Sequence, residues 1–320
     1  MKWKNVSGWR CNNSLESEKL VVNKKSTLLG GYMLEKKITF IGSGAMAEAM
    51  ISGLLRQKLA KPENLLTSDE RAERVQELHE KYGVVPFTDN NQAAEHADVV
   101  VLSVKPQRLT EVLDNLKDDV PSAAVVLSIV AGASIEKICK GLKHAAVVRS
   151  MPNTPAQIGE GITVWIASPS VSETQKETAR TILGALGDEV NVDDENYLDM
   201  ATALSGTGPA YVFIFMEAMI DAGVHMGFSR RISEQLVVQT LKGSVDYYQA
   251  INQKSSVHVA ALKNQVTSPG GTTAEALYYL EKAGFRTAIS RAIWAAYQRS
   301  LELGKEKPVH IPETGNGNEK

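Results

Sequence analysis

The segment Gly42-Ser43-Gly44-Ala45-Met46-Ala47 fits the pattern G-x-G-x-x-A and follows directly on the apolar run Ile38-Thr39-Phe40-Ile41. In that context each small residue has its use. Gly42 permits a tight turn, Gly44 lets a pyrophosphate approach the backbone, and Ala47 keeps strand and helix close. The helix opening at Ala45 offers free N–H groups to phosphate. The spacing therefore predicts dinucleotide binding. Thr67-Ser68-Asp69-Glu70-Arg71 stands at the end of a second strand. A carboxylate there favours a free ribose 2′-hydroxyl, whereas Ser with Arg can hold a 2′-phosphate. Both are supplied, so NADH and NADPH stay open, and Asp69 and Arg71 read equally well as a solvated helix start. Ser103-Val104-Lys105-Pro106 ends the strand expected across the switch point, where a lysine can reach a phosphate or a substrate carboxylate, or simply face water.

Three further segments stand apart. Val147-Val148-Arg149-Ser150-Met151-Pro152-Asn153-Thr154-Pro155 runs from a strand into a proline-stiffened loop, either a wall for a nicotinamide pocket or a plain connection. Ser205-Gly206-Thr207-Gly208-Pro209-Ala210-Tyr211 precedes one helical pattern, and Val266-Thr267-Ser268-Pro269-Gly270-Gly271-Thr272-Thr273-Ala274-Glu275 precedes another. In the last, Thr272 and Glu275 have capping-box spacing. Gly270, Gly271 and Thr273 would then crowd a helix N-terminus with amides and hydroxyls, a good seat for a carboxylate. The histidines His79, His96, His144, His225, His258 and His310 show no paired spacing, so no metal site is expected. With no evident general base, the residues point to a substrate whose protonation is intrinsically easy.

Positioning these segments requires two kinds of domain. The chain has 320 residues, 43% of them hydrophobic, and Lys+Arg 35 against Asp+Glu 37 leaves a net charge of −2. That balance argues against nucleic acid as a partner, and the length suits about two domains. The apolar stretch 123–135 is broken by Ser128, Gly132 and Ser134, so no membrane association is expected. Two unrelated cysteines, Cys11 and Cys139, offer neither a disulfide framework nor a zinc site, which suits a reducing cytoplasm. Short apolar runs at 38–41, 65–67, 98–104 and 124–129 read as strands buried on both faces, alternating with helices through about Ser168 in a doubly wound sheet. Helical patterns then take over at 210–224, 232–248, 274–283 and 287–303. The expected division is a disordered extension (1–32), a dinucleotide-binding domain with connecting segment (33–195), a helical substrate and dimerisation domain (196–304) and a flexible tail (305–320). Met33 reads as the natural start, with Gly30-Gly31 as translated leader; a native disordered extension is the other reading. The pattern at 210–224 is apolar almost all round, with only Glu217 and Asp221 as a polar stripe, so a second copy is expected to cover it.

Taken together, Phe40-Ile41-Gly42-Ser43-Gly44-Ala45-Met46-Ala47, Val104-Lys105-Pro106, Met151-Pro152-Asn153-Thr154-Pro155, Leu204 to Tyr211 and Val266 to Thr273 resemble the pyrroline-5-carboxylate reductase family, from about Lys37 to Leu303. The resemblance implies an α/β Rossmann-type domain followed by an all-α dimerisation domain, homodimers that assemble further into decamers, and reduction of 1-pyrroline-5-carboxylate to L-proline with NADPH or NADH. It assigns Phe40, Ile41, Gly42, Ser43, Gly44, Ala45, Ser68, Asn90, Ser103, Val104, Lys105, Pro106, Val130 and Ala131 to the cofactor. Glu195, Gly271, Thr272 and Thr273 go to the substrate, with Thr273 and Ser268 catalytic. Two departures stand out. Many relatives have Asn-Arg where Ser68-Asp69 stands, and the common Leu-Lys/Arg-Asp is Leu262-Lys263-Asn264 here. The competing readings are another imine or β-hydroxy-acid oxidoreductase of the same plan, and a catalytically silent dinucleotide-binding paralogue. The first would want a site-like lysine, which neither Lys242 nor Lys263 provides, and the second would show damage in 268–273, which is intact.

Overall fold

The computed structural model describes residues 33–304, so the expectations for 1–32 and 305–320 lie outside the described residues. The first half alternates strictly: β1 (Ile38–Ile41), α1 (Ala45–Arg56), β2 (Leu65–Ser68), α2 (Ala72–Tyr82), β3 (Val85–Phe87), α3 (Asn90–Ala94), β4 (Val99–Leu102), α4 (Leu109–Leu116), β5 (Val125–Ser128), α5 (Ile135–Leu142) and β6 (Val147–Met151). β7 (Gly161–Ala167), α6 (Glu173–Gly184) and β8 (Gly187–Asn191) complete it. The strands form one sheet in the order β3-β2-β1-β4-β5-β6-β7-β8. Its first six places are the doubly wound Rossmann order, which sets a crevice where β1 and β4 diverge. Every residue of β1, β2, β4 and β5 is buried. Two apolar layers explain this: Phe40, Met50, Leu54 and Trp165 pack on one face, and Ile41, Val100, Leu113 and Ile138 on the other.

The sheet runs further than expected and is not wholly parallel. β6 and β7 pair antiparallel, Ser150 opposite Trp165. The proline loop turns through a 3₁₀ segment, Thr154–Ile158, and Gly159 at φ 78°, so the chain reverses without a crossover helix. β8, with the polar sequence GDEVN, adds an edge strand parallel to β7.

The second half is helical, as expected: α7 (Asn196–Ala201), α8 (Gly208–His225), α9 (Arg230–Asn252), α10 (Val259–Gln265), α11 (Thr272–Lys282) and α12 (Phe285–Gly304). Between α7 and α8 the residues Thr202–Gly206 form a π-turn, closed by Thr207 N–H donating to Thr202 O at 2.8 Å. α12 packs on α7 and this π-turn, and α8 packs on α9. One expectation fails in detail. Gly271, not Thr272, is the N-cap of α11, and no side chain caps it. Thr272 is already helical, because the Gly271 N–H donates to Ser268 O (3.1 Å) and that turn sets the entry. In α8 only Gly223 is buried. Taken as one run, Asn196–His225 is long and apolar enough to cross a membrane, a length of apolar chain that the reading at 123–135 overlooked.

Candidate active site

The glycine turn after β1 is tightly framed. Gly42 has φ 90°, and a Cβ there would lie 2.8 Å from Val104 Cγ1 and 3.0 Å from Ser103 O. Ser103 Oγ donates to Gly42 O at 2.6 Å, fastening the turn to the end of β4. At Gly44, by contrast, a Cβ would meet nothing within 4 Å, and Gly44 caps α1 with no side-chain bond. Open space over an uncapped helix N-terminus fits a pyrophosphate. Arg74, which the sequence reading did not single out, holds this arrangement from α2. Its Nε donates to Ser43 O (2.8 Å) and its Nη groups reach Glu48 and Glu77. Burial pushes the Glu48 carboxyl up, but hydrogen bonds from Lys81, Arg74 and Tyr82, with the charge of Arg74, outweigh it and bring it down to about 2.

Beyond the turn, Ser68 is fully buried and its Oγ donates to Asn90 Oδ1 at 2.7 Å, so two expected cofactor residues are coupled to one another. Asp69 projects next to them. Its Oδ2 accepts the Ser43 N–H (3.0 Å), and Oδ1 accepts both the N–H and the Nε–H of Arg71 (3.1 and 2.8 Å). Burial raises the Asp69 carboxyl, and these bonds, together with the Arg71 charge, carry it below the usual carboxylate range. Lys105 and Pro106 are exposed at the mouth of β4, with Val104 half-buried.

On the far side of the crevice, Val130 is buried and Ala131 half-buried in the loop after β5. Ser128 Oγ accepts the Val130 N–H (3.2 Å), which ties the loop to the strand end. Gly132, at φ 71°, lies against Leu303 and Gly304; a Cβ there would sit 3.1 Å from the Gly304 nitrogen. Glu195 Oε1 accepts the Ile135 N–H (2.9 Å) and a guanidinium N–H of Arg149 (2.8 Å). Arg149 is 5% exposed, and its other Nη is 3.4 Å from Asp199 Oδ1, which also accepts Ser300 Oγ–H at 2.6 Å. Arg149 thus pairs with two carboxylates at the start of α7, which the α5 and α12 groups bond in turn. Its signal in the sequence was a charged residue inside the apolar run Val147-Val148-Arg149.

The Ser268-to-Thr273 loop stands apart from both groups. Thr273 is half-buried, Ser268, Pro269, Gly270 and Thr272 are exposed, and α11 packs chiefly on α12. A Cβ on Gly271 would lie 2.4 Å from Ser268 Oγ, so only glycine lets that hydroxyl close over the turn. Two clefts, of about 490 and 440 Å³, open elsewhere. One is an apolar groove along Phe285, Ile289 and Trp294, and the other a polar groove by Ser134, Lys137 and Gly304. Neither is lined by the glycine turn or by this loop.

Residues 195–303 match the family described as pyrroline-5-carboxylate reductase dimerisation, and residues 37–132 match NADP oxidoreductase, coenzyme F420-dependent. The pyrroline-5-carboxylate reductase of Synechocystis sp. is 41% identical over 270 residues, covering 84% of this chain and 99% of that protein. That of Corynebacterium melassecola is 38% identical, covering 84% and 98%. The chain belongs to the pyrroline-5-carboxylate reductase family. Solved structures of the family superpose on it: the Plasmodium falciparum pyrroline carboxylate reductase with NADP bound (TM-score 0.77, 35% identity, 86% of this chain and all of that one), and the Coxiella burnetii enzyme (0.76, 36%, 85% and 99%). The expected fold, reductase activity, NAD(P)H dependence and homo-oligomeric state hold with the family. Glu195 opens the region that matches the dimerisation family and at the same time bonds Arg149 of the sheet domain.

Proposed function

We propose that this chain reduces the ring imine of 1-pyrroline-5-carboxylate to L-proline, its sheet domain holding NAD(P)H and its Ser268-to-Thr273 loop holding the substrate. One observation carries the reading: a single chain of this family pairs an open, uncapped glycine turn at α1 with a second glycine-rich, uncapped helix start at α11. When bound, the reduced nicotinamide supplies hydride to the imine carbon. Phe40, Ile41 and Gly42 to Ala45 carry the pyrophosphate side, Ser68 and Asn90 border the adenosine ribose, and Ser103 to Pro106 line the crevice. Val130 and Ala131 flank the nicotinamide, in a loop stiffened by Ser128.

On the substrate side, the amides of Gly271 and Thr272 at the α11 N-terminus receive the carboxylate, where helix polarity favours an anion. The Thr273 hydroxyl, with Ser268 beside it, hydrogen-bonds the ring nitrogen. A cyclic imine is strongly electrophilic once protonated, so orientation matters more than a strong general acid. Glu195 closes the pocket edge, held there by Arg149 and the Ile135 amide. A second copy of the chain, rather than lipid, covers the exposed apolar helix Asn196–His225, which lies almost wholly in the region matching the dimerisation family. The same interface braces the Ser268-to-Thr273 loop. Further assembly of dimers into decamers and a cytoplasmic, membrane-free location complete the reading, supported by the family resemblance and the pair of unrelated cysteines. A spectrophotometric assay with each reduced cofactor tests it. Cofactor oxidation dependent on 1-pyrroline-5-carboxylate, with L-proline as product, is the expected result; no oxidation with either cofactor would overturn it.

A further inference from the structure

We propose that Asp69 makes this site select NADH over NADPH, by placing a fixed carboxylate where a 2′-phosphate would lie. The inference rests on the dinucleotide reading of the glycine turn and adds a choice which that reading leaves open. Asp69 follows the last residue of β2, the place from which a Rossmann strand addresses the adenosine ribose. Its carboxylate is pinned from two sides, by the Ser43 amide within the glycine turn and by the Arg71 backbone and guanidinium, and the side chain is only 10% exposed. It cannot swing away without leaving the Ser43 amide unpaired. Held there, it repels a phosphate and sets no charge against an uncharged ribose hydroxyl.

The arginines around this corner are already committed. Arg71 forks onto both Asp69 oxygens through Nε and Nη2 (2.8 and 3.1 Å). Arg74 serves Ser43 O, Glu48 and Glu77. Arg108, on the neighbouring rim, pairs with Glu70 and Glu111. The Ser68 hydroxyl is buried on Asn90. If Arg71 turned to a 2′-phosphate, the Asp69 carboxylate would lose its counter-charge beside a dianion; if it stayed, the phosphate would face that carboxylate unaided. NADPH binding is penalised on either course, whereas NADH brings no charge to this corner.

Calorimetric titration of the full-length protein with NADH and with NADPH, without substrate, reads the preference apart from turnover. NADH is expected to bind at least tenfold more tightly, about 1.4 kcal/mol. Asp69→Asn keeps an oxygen for the Ser43 amide while removing the charge and releasing Arg71. It is expected to raise NADPH affinity tenfold or more with little change for NADH, and the gain should shrink as salt is raised. Adding Arg71→Ala to that variant should abolish the gain, since the freed guanidinium is what captures the phosphate. Equal or tighter NADPH binding by the unchanged protein, or an unaltered ratio in Asp69→Asn, would overturn the proposal. Failure of both dinucleotides to bind would remove the dinucleotide reading and this selectivity with it.

Discussion

A hydroxyl that bonds the ring nitrogen while charge is being redistributed there contributes mainly to the transition state, so its removal should appear in turnover rather than in cofactor affinity. Thr273→Ala is expected to lower kcat about 10-fold or more, about 1.4 kcal/mol, with NAD(P)H affinity unchanged in a parallel titration. An unaltered kcat would remove Thr273 from the chemistry. Arg149 makes a different demand. Replacing it by Met leaves Glu195 and Asp199 facing one another without the cation between them, and a loss of about 3 kcal/mol is expected in denaturant unfolding. A pair of curves superimposable within 0.5 kcal/mol, roughly the ordinary scatter of surface changes, would contradict it. Glu48 supplies the pH-dependent case. Its folded-state value of about 2 lies below the ordinary 4.5, so the folded protein favours the charged form. That contribution is complete above pH 4.5 and fades as pH falls toward about 2. Glu48→Gln should therefore be less stable at neutral pH by about 1 kcal/mol, discounted for its solvent screening. The gap to the unchanged protein should close on acidification through that window. A gap constant with pH would show that the carboxylate's charge has no part in it.

Among the elements, the turn between β1 and α1 is the least forgiving of change. Gly42→Ala puts a Cβ at φ 90° against Val104 and the Ser103 carbonyl, so a cost of about 2 kcal/mol or more is expected, together with weakened dinucleotide binding. Thermal denaturation with and without NADH measures both; an unchanged midpoint and an unchanged cofactor-induced shift would refute it. This turn was readable in the sequence because the strand, glycines and helix that make it are contiguous. The same holds for β1, β2, β4 and β5, whose burial on both faces writes itself as unbroken apolar runs. β8 escaped because an edge strand is held by backbone pairing to β7 and needs no apolar code, and its residues are exposed or half-buried. The antiparallel turn at β7 depends on Gly159 and a 3₁₀ segment, which a Pro-rich loop announces only as stiffness. At α11 the glycines were visible but the cap fell one residue early, since Gly271 enters in an extended conformation and leaves Thr272 inside the helix. The Arg149 cluster was hidden for another reason. Its partners lie 46 and 50 residues away, and only the closed fold makes them neighbours.

At the scale of the whole molecule, the single chain is incomplete. Val212, Phe213 and Ile214 of α8 are at least half exposed, as are Tyr278 and Tyr279 of α11 and Trp294 of α12. Large apolar side chains exposed side by side mark an interaction surface, and the region that matches the dimerisation family spans them. Dilution is therefore expected to abolish activity together with dissociation, followed by light scattering and assay at matched concentrations. A folded, active monomer would refute the coupling. The contact of Gly132 with Leu303 and Gly304 has a bearing on birth as well as on function. The ribosome releases the sheet domain first, yet the loop expected beside the nicotinamide waits for the last described residues of the chain. Asp199 likewise waits 101 residues for the hydroxyl of Ser300. At ~5–20 residues per second that interval is about 5–20 s. A nascent chain can thus form the turn after β1 while the Gly132 loop still lacks its contact with α12, so that loop is braced only once the helical half has been made.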